Sequence, residues 1–255
     1  MKKPLILVSN DDGITAPGIR ALIEVAKQFG EVVVVAPDGP QSGMGHAITI
    51  NSTLRCDQIH VDSGLQKEYA CSGTPVDCVK LAVNKILDRK PDLCISGINH
   101  GSNSSINVIY SGTMSAAVEG ALEGIPSVGF SLLDFSFDAD FTASKNVAAD
   151  IIRMVLKEKL PKGVCLNVNI PKLPFDKIKG YKICRQADAN WVEEFDERKD
   201  PAGRTYFWLT GSFQNFDNGT DTDEWALAND YVSIVPVKYD ITSYETISLL
   251  NSWKL

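Results

Sequence analysis

The sequence predicts an α/β fold: a doubly wound, mostly parallel sheet followed by a β-rich C-terminal arm. Three observations carry that reading. Short, uniformly apolar runs recur at 5–8, 32–35 and 93–95, as expected of strands buried on both faces of a parallel sheet. Segments with helical periodicity lie between them. Beyond Pro171 the helical period disappears, and β-prone pieces alternate with Asp/Asn/Gly turns.

Leu5-Ile6-Leu7-Val8 is the first strand. After a turn, Ile19, Leu22, Ile23, Ala26 and Phe29 fall at helical spacing, and Gly30 ends the helix. Residues 32–35 form the second strand. Residues 47–72 break the rhythm with short alternating segments, the pattern of an inserted hairpin. Thr74-Pro75 then caps a helix running to about Leu87, with Pro at its first position. The third strand, 93–95, leads into a polar Gly/Asn/Ser loop over 97–112, and an Ala-rich helix follows over 113–123. Residues 126–132 return as a strand, 142–158 as a helix and 164–168 as another strand. Strand–helix–strand repetition of this kind implies right-handed crossovers in a doubly wound sheet. Residues 1–170 are therefore expected to form the catalytic core. Residues 171–255 are expected to form a β-rich extension whose exposed hairpins suit pairing between protomers.

The 255 residues are 22% charged and 44% hydrophobic, an ordinary globular composition. A chain this long buries roughly 75% of its unfolded surface, so it needs neither disulfides nor a structural metal to fold. A net charge of −7 and the lack of Lys/Arg runs argue against a nucleic-acid duplex as partner. The six cysteines form no C-x-x-C pair, and Cys78, Cys94 and Cys165 sit in apolar runs, so reduced, mostly buried thiols are expected. The start, Met1-Lys2-Lys3 then Leu5 to Val8, superficially resembles a leader, but its apolar run is short and ends in Asn10-Asp11-Asp12. No apolar stretch approaches the roughly 18 residues of a membrane span. The expected location is the cytoplasm, with no membrane partner, and the N-x-S/T triplets at Asn51, Asn103 and Asn218 are chance matches.

In open parallel sheets ligands bind at the carboxyl ends of the strands, where strand order reverses. Three polar clusters meet that criterion: Asn10-Asp11-Asp12-Gly13 after the first strand, 38–46 after the second, and 99–113 after the third. Adjacent carboxylates raise each other's pKa unless a cation lies between them. The alternative is that Asp11 or Asp12 caps the next helix while Gly13 makes the turn; capping accounts for one aspartate and leaves the other unexplained. With only three histidines, and no H-x-x-x-H, a His-rich zinc site is not expected. Oxygen donors from Asp, Ser and Asn suit one Mg²⁺ or Mn²⁺. His46 and His100 lie beside this region, either as proton-transfer or supporting groups or as ordinary loop residues. Tyr110-Ser111-Gly112-Thr113 runs straight into the Ala-rich helix, offering an anion either free N–H groups or nothing more than an N-cap. No Walker or dinucleotide glycine pattern is present.

Ser9-Asn10-Asp11-Asp12-Gly13-Ile14 with Ala16-Pro17-Gly18-Ile19 resembles the opening signature of the stationary-phase survival protein SurE family. Ser96-Gly97-Ile98-Asn99-His100-Gly101-Ser102-Asn103 and Tyr110-Ser111-Gly112-Thr113 resemble its second signature, and Ser72-Gly73-Thr74-Pro75-Val76-Asp77-Cys78 a third. Gly219-Thr220-Asp221 and Tyr231-Val232-Ser233-Ile234 resemble its closing motifs. The resemblance implies a Rossmann-like core, a C-terminal arm exchanged between subunits in a homodimer or tetramer, and metal-dependent hydrolysis of nucleoside 5′- and 3′-monophosphates. It implies Asp11, Asp12, Ser42 and Asn99 as metal ligands, with Asn103, Ser111, Gly112 and Thr113 holding the phosphate. Many members carry basic residues between the Asp after the second strand and the ligand Ser; here that stretch is Gly39-Pro40-Gln41.

Two other readings compete. A haloacid-dehalogenase-like phosphatase needs a second Asp two positions after its nucleophile, and neither Asp11 nor Asp12 fits that register. A non-catalytic metal- or nucleotide-binding sensor would use the same ligands without turnover. For an enzyme, the expected chemistry is direct hydrolysis, with Asp12 as general base and Asn99 and the helix start at Thr113 stabilising charge.

Overall fold

The computed structural model describes residues 3–253. Met1 and Lys2, which open the leader-like segment, lie outside the described residues. The elements are β1 (Leu5–Ser9), α1 (Pro17–Ala26), β2 (Glu31–Pro37), β3 (Cys56–Ile59), β4 (Lys67–Cys71), α2 (Pro75–Leu81), β5 (Leu93–His100), α3 (Gly112–Leu122), β6 (Ser127–Leu132) and α4 (Thr142–Glu158). There follow β7 (Val164–Ile170), β8 (Tyr181–Ile183), β9 (Ala189–Lys199), β10 (Thr205–Asn215), α5 (Asp223–Ala228), β11 (Val232–Lys238) and α6 (Tyr244–Leu250).

A nine-stranded sheet runs β3-β4-β2-β1-β5-β6-β7-β11-β8, and β9 and β10 form a separate two-stranded sheet. From β4 to β7 all neighbours are parallel. The chain leaves β1 toward β2 on one side and returns as β5 on the other, which puts the topological switch point between the ends of β1 and β5. All five β1 residues are buried, because helices cover both faces of the sheet. Ile19, Leu22 and Ile23 of α1 pack on one face with Val147, Ile151 and Ile152 of α4. Cys78 and Val79 of α2 and Ala116 of α3 pack on the other. Thr74 and Asp77 form a reciprocal capping box that starts α2.

The expected α/β architecture is present, and five local expectations change. The first helix, expected to run to Gly30, ends at Ala26, and 27–29 continue as turns. The strand predicted over 93–95 runs on to His100, through a bulge between Ser96 and Asn99 that shifts its register against β6. Gly97, in the bulge, has φ +117°, and a Cβ there would meet the Phe130 carbonyl at 2.3 Å. Within 47–72, β3 and β4 do pair antiparallel, but β4 also joins β2 in parallel, so the segment extends the main sheet. The helix from Pro75 is α-helical only to Leu81 and continues as a π turn over 82–86. Beyond Pro171 the chain is not purely β: α5 and α6 are present, at 6 and 7 residues too short to display a helical period. β11 returns antiparallel to β7 and β8 pairs with β11, so part of the arm completes the core sheet.

Candidate active site

A cleft of about 570 Å³ opens at the switch point, and Asp11, Asp12, Ser42 and Asn99 all line it. Asp11 and Asp12 follow β1, Asn99 sits just past the β5 bulge, and Ser42 lies on the exposed loop after β2. The N-cap of α1 is Ala16, so neither aspartate is used in capping. Gly13, at φ +98°, makes the turn, and the Asn10 side chain closes it by donating to the Gly13 carbonyl at 2.9 Å.

Asp11 is 4% exposed. Burial pushes its carboxyl up to about 6; a hydrogen bond from Thr113 opposes that shift and the Asp12 charge adds to it. Burial also raises Asp12, and His100 opposes the rise. The His100 backbone N–H donates to Asp12 Oδ2 at 3.4 Å. Asn99 Nδ2 donates to the Gly101 and His100 carbonyls at 2.9 and 3.2 Å, which keeps its amide oxygen available as an acceptor.

Among the described residues no group of three or more His, Cys, Asp and Glu side chains is arranged to hold a metal. No Lys or Arg is among the described residues that line the cleft. Two carboxylates, an amide oxygen and a hydroxyl, with no protein cation beside them, fit a hard divalent ion that prefers oxygen.

The residues expected to hold phosphate separate into two groups. Asn103 and Ser111 line the cleft. Asn103 is fastened by its own N–H to Asn169 Oδ1 and by Nδ2 to Ser131 Oγ, both at 2.8 Å. Ser111 is the N-cap of α3, its hydroxyl accepting from the Met114 N–H at 3.0 Å. Gly112 and Thr113 stand behind Asp11. Thr113 is fully buried and donates through Oγ1 to Asp11 Oδ1. A Cβ on Gly112 would lie 2.6 Å from the Asp11 Cβ, so the glycine lets α3 approach that carboxylate.

His100 lines the cleft, with Nδ1 3.0 Å from the Ser136 carbonyl and its ring edge-on to Phe141. His46 does not line it: its Nε2 is 2.9 Å from Glu119 Oε2, and Lys80 donates to the other Glu119 oxygen at 2.6 Å. Burial works to raise the Glu119 carboxyl, but these two partners outweigh it and hold the group low. The pair ties the Ser42 loop to α2 and α3.

Sequence reasoning missed the supporting asparagines and one wall of the cleft. Asn167 and Asn169 are buried in β7, and their side chains hold Asn103. Their signal was available as two amides alternating through an otherwise apolar strand. Trp191, Phe213, Glu224 and Leu227 of the C-terminal arm also line the cleft. The sequence places chemistry only before residue 114, and no local spacing points to these four.

Comparison with known proteins shows the family and the fold. The family model described as survival protein SurE matches residues 6–193. A 5′-nucleotidase SurE of Christiangramia forsetii is 65% identical over 255 residues, covering 100% of this chain and 98% of the relative. The 5′-nucleotidase SurE of Flavobacterium johnsoniae is 65% identical over 254 residues, with the same coverage. The crystal structure of the SurE protein from Aquifex aeolicus superimposes with a TM-score of 0.85 at 40% identity, covering 97% of this chain and 98% of that one.

Proposed function

The chain belongs to the SurE family, and from that premise we propose that it is a cytoplasmic, divalent-metal-dependent 5′-nucleotidase. Its reaction is hydrolysis of nucleoside 5′-monophosphates, and of 3′-monophosphates, to nucleoside and phosphate. The observation that carries this reading is the pairing of buried Asp11 with Asp12 and Asn99 at the switch point, in a cleft with no lining Lys or Arg among the described residues. Two carboxylates there repel an anionic substrate unless a cation joins them.

Asp11, Asp12, Ser42 and Asn99 would hold that cation. When bound, it supplies Lewis-acid polarisation of the phosphoryl group and makes water more acidic. Asp12, less buried than Asp11, accepts the proton of the attacking water at a carboxylate oxygen. Ser111, at the N-terminus of α3 and in the cleft lining, would meet a phosphoryl oxygen beside the positive end of the helix dipole, while Gly112 and Thr113 support Asp11 from behind. Asn103, immobilised by Ser131 and Asn169, offers a positioned amide. Attack by water on phosphorus releases the nucleoside directly, with no covalent enzyme intermediate.

Phosphate release from a panel of nucleoside monophosphates, after chelation and after adding Mn²⁺ or Mg²⁺, tests the proposal. Release that depends on added metal is expected. Binding of nucleotide without any turnover would instead mark a sensor, and full activity after exhaustive chelation would overturn the metal assignment.

A further inference from the structure

The four oxygen donors account for only part of the cleft. Its volume of about 570 Å³ falls in the range of sites for whole small molecules and exceeds what a phosphoryl group alone requires. Four of the remaining lining residues come from the C-terminal arm, and they are aromatic, apolar and acidic.

Trp191 of β9 and Phe213 of β10 are cross-strand partners in the hairpin, their rings edge-to-face at 5.7 Å. Trp191 does not swing freely, because its Nε1 donates to Asn107 Oδ1 at 2.8 Å. The root of the hairpin is bolted to the loop after β5. Ser105 Oγ lies 2.9 and 2.6 Å from the Ala187 and Ala189 carbonyls. Asp223 accepts from the Ser105 and Ala187 N–H groups at 2.8 and 2.9 Å. Next to Asp223, Glu224 takes a hydrogen bond on Oε1 from Ser104 Oγ at 2.5 Å. Its Oε2 has no protein hydrogen-bond partner among the described residues, in a side chain that lines the cleft. A stacking wall and a fixed carboxylate thus share one cavity with Asp11 and Asp12.

The chemistry sorts what each can receive. An aromatic wall stacks a planar base without regard to its charge. A carboxylate accepts hydrogen bonds from neutral donors such as ribose hydroxyls and base amines, and repels phosphate. One divalent cation at Asp11 and Asp12 offsets one phosphoryl group. A second phosphate near Glu224 would meet no Lys or Arg among the described residues that line this cleft, nor any from Gly39-Pro40-Gln41 beside Ser42.

We propose that Trp191, Phe213 and Glu224 form the nucleoside subsite of this cleft, and that Glu224 restricts the enzyme to substrates carrying a single phosphate. The inference rests on the nucleotidase reading and adds to it a division of the cleft and a rule of selection. It also gives the C-terminal arm a part in substrate choice.

The test compares a purine nucleoside 5′-monophosphate, its 3′,5′-bisphosphate, inorganic tripolyphosphate and glycerol phosphate, with Mn²⁺, on the full-length protein. The wild type should show kcat/KM for the bisphosphate and for tripolyphosphate at least about tenfold below that for the monophosphate. Glu224→Gln should narrow the monophosphate-to-bisphosphate ratio several-fold. Trp191→Ala should raise KM for the nucleoside monophosphate more than for glycerol phosphate, by roughly five- to a hundredfold, the span of a lost base–aromatic stack. Titration of the free purine nucleoside reads the same subsite without turnover, and Trp191→Ala should weaken that binding. Equal efficiency on mono- and bisphosphate, an unchanged ratio in Glu224→Gln, or nucleoside binding indifferent to Trp191→Ala would overturn the proposal. Trp191-dependent nucleoside binding in a protein that hydrolyses none of the phosphomonoesters would leave the subsite standing and overturn the nucleotidase reading.

Discussion

Thr113 Oγ1 donates to Asp11 Oδ1, and both groups are buried. The bond orients the carboxylate and opposes the effect of burial on it. Thr113→Ala should therefore act first on metal affinity, where the motif alone suggested phosphate recognition. A hydrogen bond to a charged group contributes about 1.5–3 kcal/mol, so the Mn²⁺ dissociation constant should rise roughly tenfold or more. Thr113→Ser should retain most of the affinity. A Mn²⁺ titration of both variants decides this; a normal metal affinity with a raised KM for phosphate ester would return Thr113 to the phosphate.

Asp11→Asn and Asn99→Ala should each lower kcat severely, on the order of 10²–10³-fold, the usual cost of one group that stabilises transition-state charge. Neither change should unfold the protein, because both sites lie at strand ends and outside the apolar clusters. His46→Ala should be milder, since His46 holds Glu119 and does not line the cleft. Near-wild-type turnover in Asp11→Asn would make the metal-centred mechanism untenable.

Gly112→Ala should damage the site while sparing the fold. Its methyl would meet the Asp11 side chain 2.6 Å away, in a position where α3 otherwise gains helix propensity from alanine. Activity should fall while the thermal midpoint changes little. A fully active Gly112→Ala would show that α3 and Asp11 separate at no cost.

The parallel core was legible because its strands are short and apolar throughout, and because Thr74-Pro75 marks the start of a helix. β4 was harder to read. It carries Glu68, which is buried with Arg20 at 2.9 Å and the Gln66 amide donating to it at 2.7 Å, so a sheet position reads as polar surface. That Asp11, Asp12 and Asn99 line one cleft was legible because each sits within a few positions of a strand end. Glu224 and Trp191 were not. They reach the cleft through contacts with Ser104 and Asn107 that span 120 and 84 positions, which leave no trace in local spacing.

Protonation should compete with the cation. Asp11 titrates at about 6 in the folded chain and at 3.8 when unperturbed. Metal binding requires the carboxylate, so apparent Mn²⁺ affinity should hold above pH 6 and fall about tenfold per unit below it. The sign for folding is the reverse. A raised folded pKa contributes stability that is complete below 3.8 and lost as pH rises through about 6, because the folded state binds the extra proton. The metal-induced rise in thermal midpoint should be larger at pH 7.5 than at pH 5, and Asp11→Asn should weaken that pH dependence, leaving the part that Asp12 carries. An equal rise at both pH values in the wild type would show that Asp11 does not ligate the metal.

The last prediction concerns association. Ile241, Tyr244, Ile247, Leu249 and Trp253 are all exposed, on and around a helix of 7 residues that is too short to be stable alone in water. An apolar groove between α4 and the β11–β8 edge, about 430 Å³ and lined by Met154, Ile183, Ile234 and Pro236, is open on the same chain. Burying that helix against a second copy would remove both exposed surfaces, and two-fold exchange is a low-cost route to a dimer. The sequence alone places the informative cut near Tyr231, but β11 pairs with β7 across Val232–Lys238, and that deletion would strip a strand from the main sheet. Truncation after Asp240 removes α6 and leaves the sheet whole. The full-length protein should be at least dimeric by light scattering at micromolar concentration, and the truncated one should dissociate while keeping its Mn²⁺ affinity. A full-length chain that runs as a 27.8 kDa monomer would sink the idea, as would a truncated chain that stays associated.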